Sequence, residues 1–382
     1  MTAFRSIRPV SALALGVLCV LGTAVASSAP LAWQSAKPGL PERLSDADFW
    51  KLASDISEPG GFFRITDNYT SNEREVGILF TMLREQKVRG GVYMGVGPEQ
   101  NFSYMAAIQP AMAFIVDIRR QAIMQHLMFK AVFELAPDRE DFISLLFAKP
   151  RPVSLEKKDK ARSIQQIWEA YFPVQQDFTL RTKNYTRLSE HITKTHKFEL
   201  TAEEQRMFDD VFQAFYSYGP LISTRGSGSG GRGGSGVTFQ DLTGEAYDTN
   251  GVPQSFLSTD DHYQTIRSLH LKNLIVPVSG DFGGPQAIRA IGAWLKSRGG
   301  TVSAYYVSNV EQYLFQDGKA TAFYQNVGTL PLNAASVFIR PYSMRNRGSI
   351  GASQSLCGIS AFLAAAEAGR VYSNSDALAC VK

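Results

Sequence analysis

The chain is poor in the residues that announce most chemistry. Its 382 residues include three cysteines and five histidines. No Cys-x-x-Cys occurs, which excludes a zinc ribbon and a thioredoxin-like redox site. No Gly-Lys-Ser/Thr occurs, which excludes a Walker-type phosphate loop, and no Gly-x-Ser-x-Gly occurs, which excludes the nucleophile elbow of α/β-hydrolases. Cys357-Gly358 has no obvious histidine partner. His191 and His196 stand five apart, not at the i, i+4 spacing of a helical metal pair, and no glutamate joins them in a metalloprotease arrangement. No metal is therefore expected. One-sided charge is lacking too: 39 Lys and Arg face 35 Asp and Glu, dispersed along the chain. No nucleic-acid partner is indicated.

The N-terminus is built differently from the rest. Arg5 and Arg8 give a positive start, Val10 to Leu21 is almost wholly apolar or small, and Ala24-Val25-Ala26 is an A-x-A cleavage site. Residues 1–26 read as a signal peptide, with 27–45 an exposed leader rich in Pro, Ser and Ala. The expected location is outside the cytosol, periplasmic or secreted. The alternative is an uncleaved anchor, for which the apolar run is short against the roughly 20 residues of a span. No other membrane segment is expected. Removing Arg5 and Arg8 takes the net charge from +4 to +2. Removing Cys19 leaves Cys357 and Cys380, either one disulfide in an oxidising compartment or two buried thiols.

What is present is a nucleotide-type βαβ pattern. Gly90-Gly91-Val92-Tyr93-Met94-Gly95-Val96-Gly97-Pro98-Glu99-Gln100-Asn101 is an apolar run ending in Gly-x-Gly, followed by a helix-compatible segment. A second apolar run, Ala113-Phe114-Ile115-Val116, ends in Asp117, twenty positions after Gly97. Glycine lets a backbone approach a ligand at the first strand's end, and a carboxylate at the second can accept hydrogen bonds from a ribose diol. Alternating strands and helices continue through 120–147 and resume at 258–339. The fold class expected is α/β, Rossmann-like, a mainly parallel twisted sheet with helices on both faces. The domain spans 46–345 and is interrupted by a helical insertion or cap at 153–223. Its helices include a segment to about Lys87 capped within Ser71-Asn72-Glu73-Arg74. A Gly/Ser-rich loop at 224–236 and a C-terminal segment at 346–382 complete the layout.

Ser71-Asn72-Glu73-Arg74, the Val92–Asn101 run, Phe114-Ile115-Val116-Asp117-Ile118-Arg119-Arg120, Gly280-Asp281-Phe282-Gly283-Gly284-Pro285 and Tyr306–Phe315 together resemble an uncharacterised bacterial family. Its members are similar to class I S-adenosylmethionine-dependent methyltransferases. The resemblance spans roughly 45–345. It implies S-adenosylmethionine as cofactor, with Gly95 and Gly97 at its methionine end, Asp117 on its ribose and Asp281 on the same carboxyl-end rim. Two features depart from such enzymes: Tyr93 and Met94 stand where an acid usually precedes the loop, and Gln100 takes the place of a dehydrogenase's third glycine.

Each candidate carries a structural alternative. Asp117 is either a ribose partner or a helix cap, and Asp281 either a site residue or a turn former. Ser308 and Asn309 either meet a ligand or cap a helix. Glu99 and Asn101 follow the glycine loop and are expected to line the pocket, with Glu99 alternatively serving the next helix's N-terminus, and Glu73 either reaches the rim or starts a helix. Two functions follow. One is a methyltransferase-like enzyme with an adenosyl cofactor and a small-molecule substrate. The other is a non-catalytic ligand-binding or envelope protein that keeps the fold without the chemistry. Export counts against the first, because S-adenosylmethionine is made in the cytosol.

Overall fold

The computed structural model describes residues 39–65, 68–73, 76–156, 162–223, 237–342 and 353–380. The signal peptide expected at 1–26, most of the leader and the Gly/Ser loop at 224–236 lie outside them.

Six strands form one sheet: β1 (Val92–Gly95), β2 (Met112–Asp117), β3 (Ile275–Ser279), β4 (Val302–Tyr306), β5 (Val337–Tyr342) and β6 (Ser353–Gly358). Their order is β3-β2-β1-β4-β5-β6. The first five run parallel, and β6 returns antiparallel on β5. The sheet thus continues past residue 345. The segments at 92–95 and 112–117 are adjacent parallel strands, as the βαβ reading requires. Every residue of β1, β2 and β3 is buried. Parallel strands covered on both faces read as unbroken apolar runs, which is how they stand in the sequence.

Consecutive tyrosines of β4 show the two covered faces. Tyr305 meets Phe323 of the helix Ala320–Gly328, with ring centroids 6.0 Å apart. Tyr306 meets Tyr104 of the helix Gln100–Ile108 at 5.0 Å. Successive strand side chains point to opposite faces, so these helices lie on opposite sides. Phe102 of the latter helix sits in an aromatic cluster, with Phe129, Phe133 and Phe256 at 5.2–5.5 Å.

The described part of residues 153–223 is mostly helical, including Ile164–Tyr171, Phe178–Glu190 and Ala202–Tyr218. Ser163 and Thr201 each close a capping box on the first turn that follows. Phe215 of the last helix packs on Phe129 of the long helix Arg120–Leu135 at 5.6 Å, and Arg120 pairs with Glu204. The insertion is therefore packed on the domain's flank.

Two expectations are corrected. The helix after Ser71-Asn72-Glu73 spans only Gly77–Glu85, and its first turn has no side-chain cap. Glu73 turns inward instead, because two hydroxyls there satisfy its carboxylate. The histidine pair is also different from its linear spacing. His191–Thr195 is a π-helix, and His196 N donates to His191 O at 3.0 Å. In a π turn, residues five apart lie above one another. Both rings reach Glu134, a glutamate no local motif could have joined to them.

Cys357 and Cys380 form a disulfide, with Cα atoms 5.7 Å apart. It ties β6 to the end of the short helix Asn374–Leu378. Among the described residues, no helix is long and apolar enough to cross a membrane.

Candidate functional site

Strand order reverses at β1: β2 and β3 leave on one side, β4 and β5 on the other. The helices that follow β1 and β4 diverge there and open a crevice at the strands' carboxyl ends. The cleft in this place is lined by the turns after β1, β2, β3 and β4. Its cavity is about 170 Å³. One water needs roughly 10–15 Å³ on this measure, so a small organic molecule fits in part or whole.

The first wall is the Val96-Gly97-Pro98 turn. Gly97 has φ +73°, and a Cβ there would meet nothing within 4 Å. Its backbone therefore faces open cleft. Asn101 Nδ2 holds the turn from behind, donating to the carbonyls of Val96, Gly97 and Pro98 at 2.7–3.0 Å. Tyr93 Oη donates to Asn101 Oδ1 at 3.0 Å. Gly95 allows that amide its place, since a Cβ would come within 1.9 Å of Asn101 Oδ1. His126 reaches in from the long helix, its Nε2 2.9 Å from Gly97 O. A carbonyl only accepts, so Nε2 carries the hydrogen. Burial pushes this imidazole down to about 4, and it is neutral at neutral pH.

The second wall is Asp117. Both its oxygens are engaged by one arginine: Arg119 N and Nε donate to Oδ1 at 2.9 and 3.1 Å, and the guanidinium donates to Oδ2 at 2.9 Å. The pair is buried on the cleft surface. Asp117 is thus not the cap of the next helix, whose N-cap residue is Arg119.

The third wall is the Gly280–Pro285 turn. Asp281 Oδ2 accepts from Lys319 Nζ at 2.5 Å, and Oδ1 from Gly283 N at 2.9 Å. Glu58 was not foreseen. It comes from the strap that follows the first helix, Asp46–Ile56, and its carboxylate accepts from Asp281 N, Gln286 N and Ala287 N at 2.9–3.1 Å. The last two are free amides at the start of the helix Ala287–Ser297, an end that favours a negative charge. Locally Glu58-Pro59-Gly60-Gly61 reads only as a helix breaker, because its partners lie more than 220 residues away. Beyond it, Phe62 is 83% exposed at the cleft mouth, and Phe63 meets Tyr313 edge-on at 4.9 Å.

The fourth wall is Ser308 and Asn309. Ser308 Oγ and Tyr306 Oη both donate to Glu73 Oε1, at 2.8 and 2.6 Å. Asn309 precedes the helix Val310–Gln316 but makes no side-chain cap bond. Behind the cleft, Glu99 is buried and accepts from Thr70 Oγ1 and from Ser71 N. Its second oxygen meets no protein donor among the described residues. Burial pushes this carboxyl up to about 7, against the partial pull of those donors.

The expected residues therefore divide. Gly97, Asp117, Asp281, Ser308 and Asn309 line one cleft. Gly95, Glu73, Glu99 and Asn101 stand behind it and hold its walls. Glu58, His126 and Lys319 are further contributors that no motif marked, and Tyr306 opens the Tyr306–Phe315 motif without having been singled out. Among the described residues, the insertion contributes no lining residue to this cleft.

Residues 69–212 and 238–358 match the model of a family described as Domain of unknown function (DUF7790). The match carries no activity and no link to methyltransferases. No curated protein matches the chain. The two matched stretches take in every wall of the cleft except the Glu58 strap, and they span well over half of the sequence: the chain belongs to the DUF7790 family.

Proposed function

We propose that this protein is an exported, Rossmann-like ligand-binding protein whose cleft takes an adenosyl-type small molecule. The observation that carries the reading is the convergence of the open Gly97 turn, Asp117, Asp281, Ser308 and Asn309 at the point where strand order reverses. The order β3-β2-β1-β4-β5 is that of a doubly wound dinucleotide fold, although the last strand here runs antiparallel. The disulfide supports an oxidising compartment, hence export.

Binding without chemistry is favoured because the cleft's acids are already committed. Asp117 spends both oxygens on Arg119, and Asp281 is shared by Lys319 and Gly283 N. A ribose diol would have to displace at least one Arg119 contact, which weakens the gain from Asp117. Methyl transfer is the second reading. It needs alignment more than a dedicated acid or base, and the exposed backbone at Gly97 offers a close approach.

Calorimetry of the mature protein with S-adenosylmethionine and S-adenosylhomocysteine tests both readings. One-to-one binding that weakens in Asp117→Asn is expected. No heat with either ligand sinks the adenosyl reading. Transfer of a labelled methyl group to an envelope extract would move the conclusion from binding protein to enzyme.

A further inference from the structure

We propose that Glu134, His191 and His196 form a binding site for a divalent transition-metal ion of the zinc class, independent of the cleft. Their ligand atoms all lie within 4.8 Å of one another. His191 Nε2 stands 2.7 Å from Glu134 Oε2, and His196 Nε2 stands 2.5 Å from the same oxygen. Two imidazoles and a carboxylate aimed at one point are a borderline-soft donor set. It suits zinc, copper, nickel or iron, and not calcium or magnesium, which prefer oxygen.

The surroundings are those of an oriented site. Metal-binding histidines usually turn their other ring nitrogen to a carboxylate or carbonyl. His196 Nδ1 lies 2.8 Å from Asp46 Oδ1, an ion-pair distance rather than an aligned hydrogen bond. Lys130 Nζ donates to Glu134 Oε1 at 2.6 Å and to His270 O at 2.9 Å. The lysine thus fixes one oxygen and leaves the other to the two rings. Asn273 joins the same shell, donating to Asp46 Oδ1 at 2.8 Å. Exposure of the three ligand side chains is 4–17%, so solvent can reach a fourth position and complete a tetrahedron with water.

The fit asks for a small movement. Zinc bonds of about 2.0–2.1 Å set tetrahedral ligand atoms roughly 3.3 Å apart, so each ring nitrogen would back away from Glu134 Oε2 by about 0.7 Å while the widest separation in the set, up to 4.8 Å, closes toward the same spacing. His191 lies on the π turn and His196 directly follows it, at the end of an insertion helix, where such a shift is easiest. On binding, the cation replaces the ring hydrogens that now face Glu134 Oε2. The site joins the first helix, the long helix and the insertion. It lies near the far end of the helix that starts at Arg120, roughly 20 Å along its axis from the cleft side. Its role is to pin the insertion to the domain.

The test uses tag-free, chelator-stripped mature protein and Zn²⁺ itself, in competition with a chromogenic chelator. One Zn²⁺ per chain is expected, with a raised unfolding midpoint. His191→Ala and His196→Ala should each weaken binding roughly tenfold or more, and Asp46→Asn by about 10–100-fold. If a variant does not fold, Co²⁺ bound to the wild type decides: a tetrahedral visible spectrum with nitrogen and oxygen ligands supports the site. Absence of stoichiometric Zn²⁺ uptake by the wild type overturns the proposal, as does uptake unchanged by both histidine substitutions in folded protein.

Discussion

Replacing Glu99 by glutamine should change how stability depends on pH, by an amount the structure sets. The carboxyl rises from 4.5 to about 7 because it is buried, while Thr70 and Ser71 offset only part of that cost. Between those pH values the folded chain keeps the proton and the unfolded chain releases it. The stabilisation is fully present below about 4.5 and is lost as pH rises through about 7. Each pH unit in that window costs about 1.4 kcal/mol, or about 3 kcal/mol across it. His126 acts in the opposite sense. Burial lowers it from 6.5 to about 4, so the unfolded state binds the extra proton and stability falls as pH drops through that range. In the wild type the two slopes oppose each other from about 4.5 to 6.5. Glu99→Gln keeps a neutral acceptor for Thr70 and Ser71 and removes one titration, which unmasks the histidine slope. Urea unfolding at pH 5, 6, 7 and 8, with the disulfide intact, measures this. The stability difference, variant minus wild type, should rise by about 2–3 kcal/mol from pH 5 to 8 and level off above 7. A difference that stays flat within about 0.5 kcal/mol would refute the reasoning and show that Glu99 is ionised in the folded protein.

Three further outcomes are expected. Gly97→Ala should cost about 1–2 kcal/mol, the penalty of a side chain at positive φ, because there is open space for the methyl group; Gly95→Ala should cost more, since its Cβ collides with Asn101, and equal midpoints for the two in urea would contradict this. Glu58→Ala should cost about 1–3 kcal/mol by stranding the amides of Asp281, Gln286 and Ala287, with faster hydrogen exchange at those three positions as the local readout. Changing both Cys357 and Cys380 to serine should lower stability by about 3 kcal/mol in the chain-entropy account of a 23-residue separation; an unchanged thermal midpoint would mean the bridge constrains nothing.

The sequence by itself determined the frame of the sheet. β1 to β4 stand out as apolar runs because strands covered on both faces need no polar alternation. Helix caps are local in sequence: Ser45 accepts from Asp48 N and Thr201 from Glu204 N, each three residues ahead. The cleft was legible in part, since topology puts the residue after each parallel strand on the same rim: Gly97, Asp117, Asp281 and Ser308. Tertiary structure alone decided what those residues do. Asp117 is bound to Arg119, two positions on, and only the turn's geometry makes that a closed pair. Glu99 and Asn101 stand behind the wall, because a side chain's direction depends on where the helix that carries it packs. Glu58 fills a helix start from across the chain, and Glu134 meets two histidines through a π turn. These are long-range encounters between polar groups, and polar groups repeat with no period. Burial of apolar faces leaves a rhythm in the sequence, whereas pairing across the fold leaves none.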